Sequence, residues 1–213
     1  MFTKDRNLIT PAQKGKYSSI QSLYSILPLS TREHMVRVGN YGDSFYRFLR
    51  SDSQKIIDEE FGEDFSKFSQ EIFCLHDIGR CFIPISIINK VSRLTDEEMH
   101  IIRNHTTYAI QAIEETYVDP FPPDMMMLLY KIALYHHERY DGKGYPEGLI
   151  EDNIPFCTRV CALVDTFDGI TSWKPYKAKQ VTKSEAVEIM RKDRGTQFDP
   201  WLFDKFCEWA KID

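Results

Sequence analysis

Residues 136–146 read HHERYDGKGYP, in which two adjacent histidines precede a loop that contains two glycines and ends in a proline. Neighbouring side chains on a helix point about 100° apart, so His136 and His137 can hold one cation only if further ligands approach it from elsewhere. The stretch therefore predicts a metal site that is assembled from several segments of the chain.

The composition is that of an ordinary globular protein, with 213 residues, 42% hydrophobic residues and a formal net charge of -5. This length fits one domain, which we place at residues 16–213 behind a polar N-terminal arm at residues 1–15. The acidic balance gives no basic surface for duplex nucleic acid. The N-terminus lacks the apolar segment of a secretory signal, and the most apolar run, 125–135, is far shorter than the roughly 20 residues that span a bilayer. We expect a cytoplasmic protein without membrane insertion.

Five cysteines are scattered through the chain without a C-x-x-C pair. An odd, scattered set does not form a disulfide framework, so we expect reduced thiols. Cys157 and Cys161 lie one helical turn apart and are an alternative metal-binding pair, but burial as small apolar residues is the favoured interpretation.

Apolar residues recur at helical spacing through most of the chain, without an internal repeat or a convincing strand pattern. In the first half, the pattern predicts a helix that ends at Pro28, a helix that carries His34 and an apolar helix that leads into His76. A further single helix is expected to begin after Thr95 and to include His105.

The second half of the chain continues the same pattern. An apolar helix is expected to end in the histidine pair, followed by helices over about 155–172, 184–191 and 200–211. In the first half, residues 51–62 are expected to mix loop with a short helix. The predicted fold class is therefore all-α, a compact helical bundle.

Five of the six histidines fall on successive predicted helices, at positions 34, 76, 105, 136 and 137. Intervals of about 30 to 40 residues allow the next helix to return to a similar level, so these side chains can converge inside a bundle. Taken singly, His34 and His105 are better explained as ordinary partly buried histidines than as metal ligands, and His100 is assigned to the surface. Asp165 lies in an apolar run where an unpaired carboxylate would be costly, so a cation or a hydrogen-bonding cap is expected beside it.

Ordered motifs extend from about His34 to the C-terminus: HDIG at 76–79, LTDEE at 94–98 followed by His105, HHERYDGKGYP at 136–146, IP at 154–155, VDTFD at 164–168 and GTQFDP at 195–200. In this combination the sequence resembles the HD-GYP domain, a branch of the HD metal-dependent phosphohydrolases. The resemblance implies an all-α bundle of the HD-domain type with an HD-GYP C-terminal extension.

The resemblance also implies a metal centre with two divalent ions, most often Fe or Mn, while Zn and Ni are compatible with the ligand types. Seven side chains match the ligand positions of the family in two overlapping groups: His34, His76, Asp77 and Asp165 for one ion, and Asp77, His105, His136 and His137 for the other. Asp77 would bridge, since a carboxylate has two oxygens that can face two cations.

The family hydrolyses the phosphodiester bonds of cyclic di-GMP or related cyclic dinucleotides, so the resemblance implies such a substrate. Two cations offset the charge of a phosphodiester, and no Ser or Cys nucleophile is then required. Asp77 and Arg80 are the expected catalytic residues, and the expected substrate contacts are Arg80, Tyr145, Lys174 and Lys177. Each lysine is otherwise explained as a solvated surface charge.

Acidic residues beside the ligands form a further group of candidates. Glu138 and Asp168 would orient ligand histidines, or alternatively form salt bridges at helix ends. Gly142 and Gly144 would give the loop the backbone freedom to approach its ligand.

Three positions depart from the family pattern. Arg80 replaces the usual lysine, Trp173 replaces a common acidic residue, and Ser30 stands where members with a third metal have glutamate. Two metal ions rather than three are therefore expected.

Three functions remain open at the level of sequence. A cyclic dinucleotide phosphodiesterase is favoured by the complete set of ligands. A catalytically weak module that binds a cyclic dinucleotide and signals to a partner is suggested by Arg80 and Trp173. An HD phosphohydrolase of other nucleotides is disfavoured by the doubled histidine and the Gly-Tyr-Pro loop. A protein signalling partner or a homodimer is compatible with each.

Overall fold

A computed structural model describes residues 19–116, 121–172 and 180–211. The N-terminal arm expected at 1–15 lies outside the described residues, and so do Trp173, Lys174 and Lys177. The substrate contacts expected for the two lysines therefore stay predictions.

The α-helices of the described residues are, in chain order, α1 (Ile20–Ile26), α2 (Leu29–Phe61), α3 (Ser69–Cys74), α4 (Ile85–Ile88), α5 (Asp96–Arg103), α6 (His105–Glu115), α7 (Pro123–Tyr135), α8 (Phe156–Thr171), α9 (Lys183–Met190) and α10 (Pro200–Trp209). Short 3₁₀ segments lie at Glu63–Lys67, Leu75–Phe82, Glu151–Asn153 and Arg191–Asp193. Extended pairing is limited, over the ranges described, to two isolated bridges, Asp141 with Ile150 and Arg194 with Phe198. The all-α prediction is confirmed.

Helix α2 is the centre of the bundle, and α3 and α8 pack along it. Its buried face carries Tyr46, whose ring meets Phe65 edge-on at a centroid distance of 4.8 Å, and Phe45, whose ring meets Phe206 at 5.3 Å. Such edge-to-face pairs contribute about 0.5–1.5 kcal/mol each beyond the burial of their area. This packing fixes α2 and thereby the position of His34 near its N-terminus.

The expected loop at residues 51–62 is instead a kink within α2. Ser53 has non-helical dihedral angles (φ -141°, ψ 51°), and the helix continues beyond it to Phe61. A two-pronged ion pair spans the kink, with Arg50 Nε 2.6 Å from Asp58 Oδ1 and Arg50 Nη2 3.2 Å from Asp58 Oδ2.

The single helix predicted from Thr95 through His105 is wrong, because the chain breaks at Asn104 into α5 and α6. The predicted cap is confirmed: the Thr95 hydroxyl accepts from Glu98 N at 3.2 Å, and the Glu98 carboxylate accepts from Thr95 N at 2.8 Å. The break makes His105 the first residue of α6.

Gly79 allows the Leu75–Phe82 segment to pack closely on α6. A Cβ atom at this position would lie 2.0 Å from the carbonyl oxygen of His105 and 2.4 Å from Ala109 N. Both are backbone atoms and cannot rotate away. The approach that only glycine permits brings Asp77, two residues earlier, beside His105.

The cysteines are free, and Cys157, Cys161 and Cys207 are buried. Burial raises the pKa of the Cys157 thiol to about 11. The residue groups in the described ranges that are close enough to hold a metal ion contain no cysteine. The interpretation of Cys157 and Cys161 as buried thiols is confirmed. In the described parts of the chain, no helix combines the length and apolar character needed to cross a membrane.

Candidate metal centre

Five segments of the chain bring the candidate ligands together. His34 lies on α2, His76 and Asp77 lie on the Leu75–Phe82 segment, and His105 begins α6. His136 and His137 follow the last residue of α7, and Asp165 lies on α8. The seven residues singled out in the sequence therefore converge at one place.

Asp77 is at the middle of this cluster, with its two oxygens facing different histidines. Oδ1 lies 3.2 Å from His105 Nε2 and 3.6 Å from His136 Nε2, whereas Oδ2 lies 3.6 Å from His34 Nε2 and 3.5 Å from His76 Nε2. This is the arrangement that a bridging carboxylate requires.

The potential ligand atoms form overlapping groups, within each of which the atoms lie within 4.8 Å of one another: Asp77 with His105, His136 and His137; His34 with His76 and Asp77; and His76 with His136 and Asp165. Ligand atoms about 2.1 Å from a common cation are at most about 4.2 Å apart. Only a small contraction of these groups is thus needed to place cations between them.

The tautomers of four histidines follow from their outer contacts. Nδ1 faces a backbone carbonyl oxygen in three of them: Phe73 O for His76 at 2.9 Å, Ile102 O for His105 at 2.7 Å and Ile132 O for His136 at 3.0 Å. A carbonyl oxygen only accepts, so Nδ1 carries the proton and Nε2 presents its lone pair to the cluster. In His34, Nδ1 also carries a proton, since it lies 2.7 Å from the carboxylate Asp168 Oδ2, but Nε2 lies 3.1 Å from another carboxylate oxygen, Asp165 Oδ1.

Several inward-facing atoms have no hydrogen-bond partner although they are buried: His76 Nε2, Asp77 Oδ1 and Asp77 Oδ2, of which the last has an ion-pair contact with Arg80. In addition, His105 Nε2 and His136 Nε2 lie 3.2 Å apart, so two lone pairs face each other. Each unsatisfied buried group costs about 1–3 kcal/mol. Divalent cations would satisfy all of these atoms, so the residues present fit the metal ions that the family resemblance implies.

The charge states of most ligands also suit cation binding. Burial raises the pKa of Asp77, but Arg80, His76 and the other histidines outweigh it and hold this pKa well below its ordinary value. Burial lowers the pKa of His105 and keeps it neutral. His34 differs: burial lowers its pKa, but hydrogen bonds to Asp165, Asp168 and Asp77 outweigh that effect and raise the pKa to about 11. A cation must displace the proton of His34.

Arg80 contacts the central carboxylate, with its Nε 2.7 Å from Asp77 Oδ2. Its side chain is 29% exposed although Nε is buried, so Arg80 lies at the edge of the cluster with Nε directed at Asp77. The expected contact of Arg80 with a substrate phosphate stays a prediction.

Asp168 contacts a ligand histidine, as expected for one of its two sequence interpretations. Its buried carboxylate accepts from Arg37 Nε at 2.6 Å and Arg37 Nη2 at 3.0 Å, as well as from Ser172 Oγ at 2.9 Å and His34. Sequence reasoning missed Arg37. Its position one helical turn after His34 on the same face is the signal that would have found it.

Glu138 has backbone partners, and in the described residues no hydrogen bond or ion pair joins its carboxylate to a ligand histidine or a basic side chain, so the two roles expected for it stay predictions. The buried carboxylate instead accepts from three successive backbone N–H groups, those of Glu147 at 2.7 Å, Gly148 at 3.0 Å and Leu149 at 3.0 Å. The residue therefore anchors the loop that follows Tyr145. Residues 147–149 fold back toward Glu138, and the spacing of residues along the chain gives no signal of such a contact.

The loop from Asp141 to Ile150 is held closely against the histidine pair. A Cβ atom at Gly144 would lie 2.4 Å from Arg139 N and 2.5 Å from Glu138 Cα, so this glycine is needed for close approach. Gly142 has φ +74°, the conformation expected for it. The GTQFDP motif supports the same loop from outside: Tyr140 N donates to Gln197 O at 3.2 Å and Asp141 N to Thr196 O at 2.8 Å.

Tyr145 lies beside the cluster, with its ring stacked on that of His137 at a centroid distance of 4.8 Å and an interplanar angle of 23°. Burial and the nearby Asp77 raise the pKa of the Tyr145 hydroxyl, so this group stays protonated and can donate a hydrogen bond. The tyrosine thus lies next to a candidate ligand, and its expected contact with a substrate stays a prediction.

A family model described as HD domain matches residues 69–202, more than half of the chain. The chain belongs to the HD domain family. Membership of this family implies a divalent-metal site, and the cluster around Asp77 is where the described residues provide one.

Curated relatives carry more specific names. The chain is 36% identical over 130 residues to the cyclic di-GMP phosphodiesterase response regulator RpfG of Xanthomonas campestris, covering 61% of this chain and 33% of that protein. It is 36% identical over 137 residues to a cyclic di-GMP phosphodiesterase of Thermotoga maritima, covering 64% of this chain and 36% of that protein. It is 32% identical over 134 residues to the 3'3'-cGAMP-specific phosphodiesterase 2 of Vibrio cholerae, covering 63% of this chain and 24% of that protein. The matches span about a third or less of these relatives. Together with the family match, they confirm the resemblance to the HD-GYP branch.

Glu138 provides the first test of this description of the site. The Glu138→Gln variant should keep its metal content but loosen residues 147–149, because an amide cannot accept from three N–H groups as a carboxylate does. Loss of charge-assisted hydrogen bonds of this kind costs about 2 kcal/mol, which should appear as faster amide hydrogen exchange at these residues. The exposed Glu188→Gln is the matched control. Loss of metal with an unchanged loop would instead support the original expectation that Glu138 orients a histidine.

Proposed function

We propose that the chain is a metal-dependent phosphodiesterase that hydrolyses a cyclic dinucleotide to the linear dinucleotide or to the mononucleotide. Cyclic di-GMP, which would give GMP, is the first candidate substrate. The observation that carries this proposal is the convergence of seven imidazole and carboxylate side chains with Asp77 at their centre. The relatives named as cyclic di-GMP and 3'3'-cGAMP phosphodiesterases support the substrate class.

We propose two divalent ions, Fe or Mn before Zn or Ni, because a mixed imidazole and carboxylate set suits these metals. One ion would be held by His34, His76, Asp77 and Asp165, and the other by Asp77, His105, His136 and His137. When bound, such a pair of ions supplies charge that clamps the phosphate, activates water and stabilises the leaving oxygen.

The residues of the chain contribute positioning and charge to this reaction. Arg80, whose Nε contacts Asp77, would bind a phosphate oxygen through the exposed part of its guanidinium. The Tyr145 hydroxyl is protonated and can donate a hydrogen bond to the substrate. Cys161 is no candidate nucleophile, since burial raises the pKa of its thiol well above the ordinary value.

The organisation and location of the protein follow as further proposals. Residues 16–213 would form one HD-GYP domain behind the arm at 1–15. A cytoplasmic location is favoured by the five free cysteines, which suit a reducing compartment.

A binding module without turnover is the second candidate. The contact between Arg80 and Asp77, at a position where the family usually has lysine, is the observation that favours it. In that case the metal-loaded chain would bind a cyclic dinucleotide tightly and release no linear product.

One substrate screen separates these functions. Protein loaded with Fe²⁺ or Mn²⁺ under anaerobic, reducing conditions should convert cyclic di-GMP to linear product, with cyclic GMP–AMP and nucleoside phosphates tested in parallel. Tight binding without product over hours would favour the binding module. Hydrolysis of nucleoside phosphates alone would favour the other class of HD phosphohydrolase, and no hydrolysis of any cyclic dinucleotide would contradict the proposal.

Tyr145 separates substrate handling from metal binding. Tyr145→Ala should lower kcat/KM for the cyclic dinucleotide by about tenfold, because an aromatic contact and a hydrogen-bond donor are lost, while the metal content stays near that of the wild type. Tyr145→Phe, which keeps the stack on His137, is the matched variant and isolates the hydroxyl. Metal analysis of both variants checks the division of roles, which loss of metal from Tyr145→Ala would contradict.

A further inference from the structure

Arg103 is a second arginine at the mouth of the candidate metal centre. It is the last residue of α5, two positions before His105, and its guanidinium carbon lies 5.3 Å from the centroid of the Tyr145 ring. This distance is within the range of a cation–π contact. The aromatic ring that stacks on His137 therefore also holds the guanidinium of Arg103 at the edge of the site.

The charge of Arg103 is not matched by a nearby carboxylate. Its side chain is exposed, and no Asp or Glu of the described residues lies within ion-pair distance of it. Arg80, by contrast, has its Nε 2.7 Å from Asp77 Oδ2. Of the two arginines, Arg103 thus has the guanidinium that is free for a ligand.

Tyr145 links Arg103 to the candidate metal centre. Its ring stacks on that of His137 at a centroid distance of 4.8 Å and lies 5.3 Å from the guanidinium carbon of Arg103. A ligand that reaches the metals past Tyr145 would therefore meet Arg103 as well.

A cyclic dinucleotide contains two phosphodiesters, and only one can lie at the metal centre at a time. Because the ring is closed, the other phosphate is held near the first. Its negative charge would be offset by a cationic side chain outside the metal cluster. A guanidinium is suited to it, because its planar fork binds two phosphate oxygens at once.

We propose that Arg103 binds the second, uncleaved phosphate of the cyclic dinucleotide, with the Tyr145 ring holding its guanidinium in position. This inference rests on the proposed function and adds a specificity-determining residue to it. It explains how the site can favour a substrate with two phosphates over one with a single phosphodiester.

Two substrates distinguish this role from a general one. Arg103→Ala should raise KM for cyclic di-GMP about tenfold with kcat unchanged, since a contact made equally in the ground and transition states is lost. Hydrolysis of bis(p-nitrophenyl) phosphate, which has one phosphodiester and no second phosphate, should be unchanged.

Arg103→Lys should recover part of the affinity for cyclic di-GMP, because lysine keeps the positive charge but lacks the planar fork of the guanidinium. Arg47→Ala, about 20 Å along α2 from His34, is the control and should match the wild type.

A second readout does not need turnover. The affinity of the metal-loaded protein for the bis-phosphorothioate analogue of cyclic di-GMP, measured by calorimetry, should fall about tenfold in Arg103→Ala and stay unchanged in Arg47→Ala. If the wild type binds the cyclic dinucleotide without cleaving it, the proposed hydrolysis is contradicted. The affinity of Arg103→Ala for the analogue still tests the role of Arg103 in that case.

Three results would overturn the inference: an unchanged KM and affinity in Arg103→Ala, an equal loss of activity on both substrates, or full recovery by an uncharged Arg103→Met variant. A wild-type protein that neither binds nor cleaves the cyclic dinucleotide would overturn the inference and the proposed function together.

Discussion

The Asp77→Ala variant is expected to lose both proposed metal ions and the proposed phosphodiesterase activity. Each carboxylate oxygen of Asp77 faces a different pair of histidines, so removal of the side chain takes one ligand from each half of the centre. No other carboxylate of the described residues approaches His105 and His136 in the same way. The loss of several kcal/mol of transition-state stabilisation corresponds to a fall in kcat of roughly 10³-fold or more.

Elemental analysis and steady-state kinetics on the same preparation check this expectation. Asp58→Ala is the control, since Asp58 is a partly buried, ion-paired carboxylate at the other end of α2 and should affect neither quantity. Asp77→Asn tests geometry against charge, because an amide offers one acceptor oxygen of similar shape and should bind at most one ion. An Asp77→Ala protein that still carries two ions would contradict the bridging role.

The second large effect is expected for Gly79→Ala. A methyl group would lie 2.0 Å from the His105 carbonyl oxygen and 2.4 Å from Ala109 N. Both are backbone atoms of α6, so this clash can be relieved only if α6 moves. The cost should be about 3 kcal/mol or more, which lowers Tm by roughly 6–12 °C in a domain of this size. The displacement of α6 should also separate His105 from Asp77, so metal affinity should fall.

Gly169→Ala is a closely matched control for this variant. Gly169 lies on α8, and a Cβ atom there would meet nothing within 4 Å. Because alanine is favoured over glycine in a helix interior, this variant should be as stable as the wild type or more stable by up to about 1 kcal/mol. Thermal unfolding of metal-free protein measures both. Equal, small effects of the two substitutions would show that the contact at Gly79 is not what positions α6.

Histidine is rare in the chain and its spacing permits five histidines to converge, while the full set of ligands could be predicted because the motifs resemble those of the HD-GYP domain. Each predicted ligand lies at the cluster, and the apolar residues at helical spacing gave most helix bounds within a few residues. The single helix through His105 failed because Asn104 keeps nearly helical backbone angles (φ -67°, ψ -7°), so no proline or glycine marks the break.

The contacts around the ligands were harder to foresee. Arg37 and Arg103 are charged residues on helices, a pattern that is usually explained by solvent exposure. The position of Arg37 one turn after His34 indicates that it lies near the ligands, but nothing in the sequence indicates that Arg103 contacts Tyr145. Glu138 was expected to orient a histidine or to form a salt bridge at a helix end, whereas the partners seen are backbone groups of a loop nine to eleven residues later. Such contacts depend on where a loop returns, which residue spacing does not encode.

The most direct test of the dinuclear centre is an anomalous-difference map of crystals of Mn²⁺-loaded protein. Two peaks are expected about 3.5–4 Å apart, with Asp77 between them, His34, His76 and Asp165 around one, and His105, His136 and His137 around the other. A single peak, or two peaks that do not share Asp77, would contradict the account.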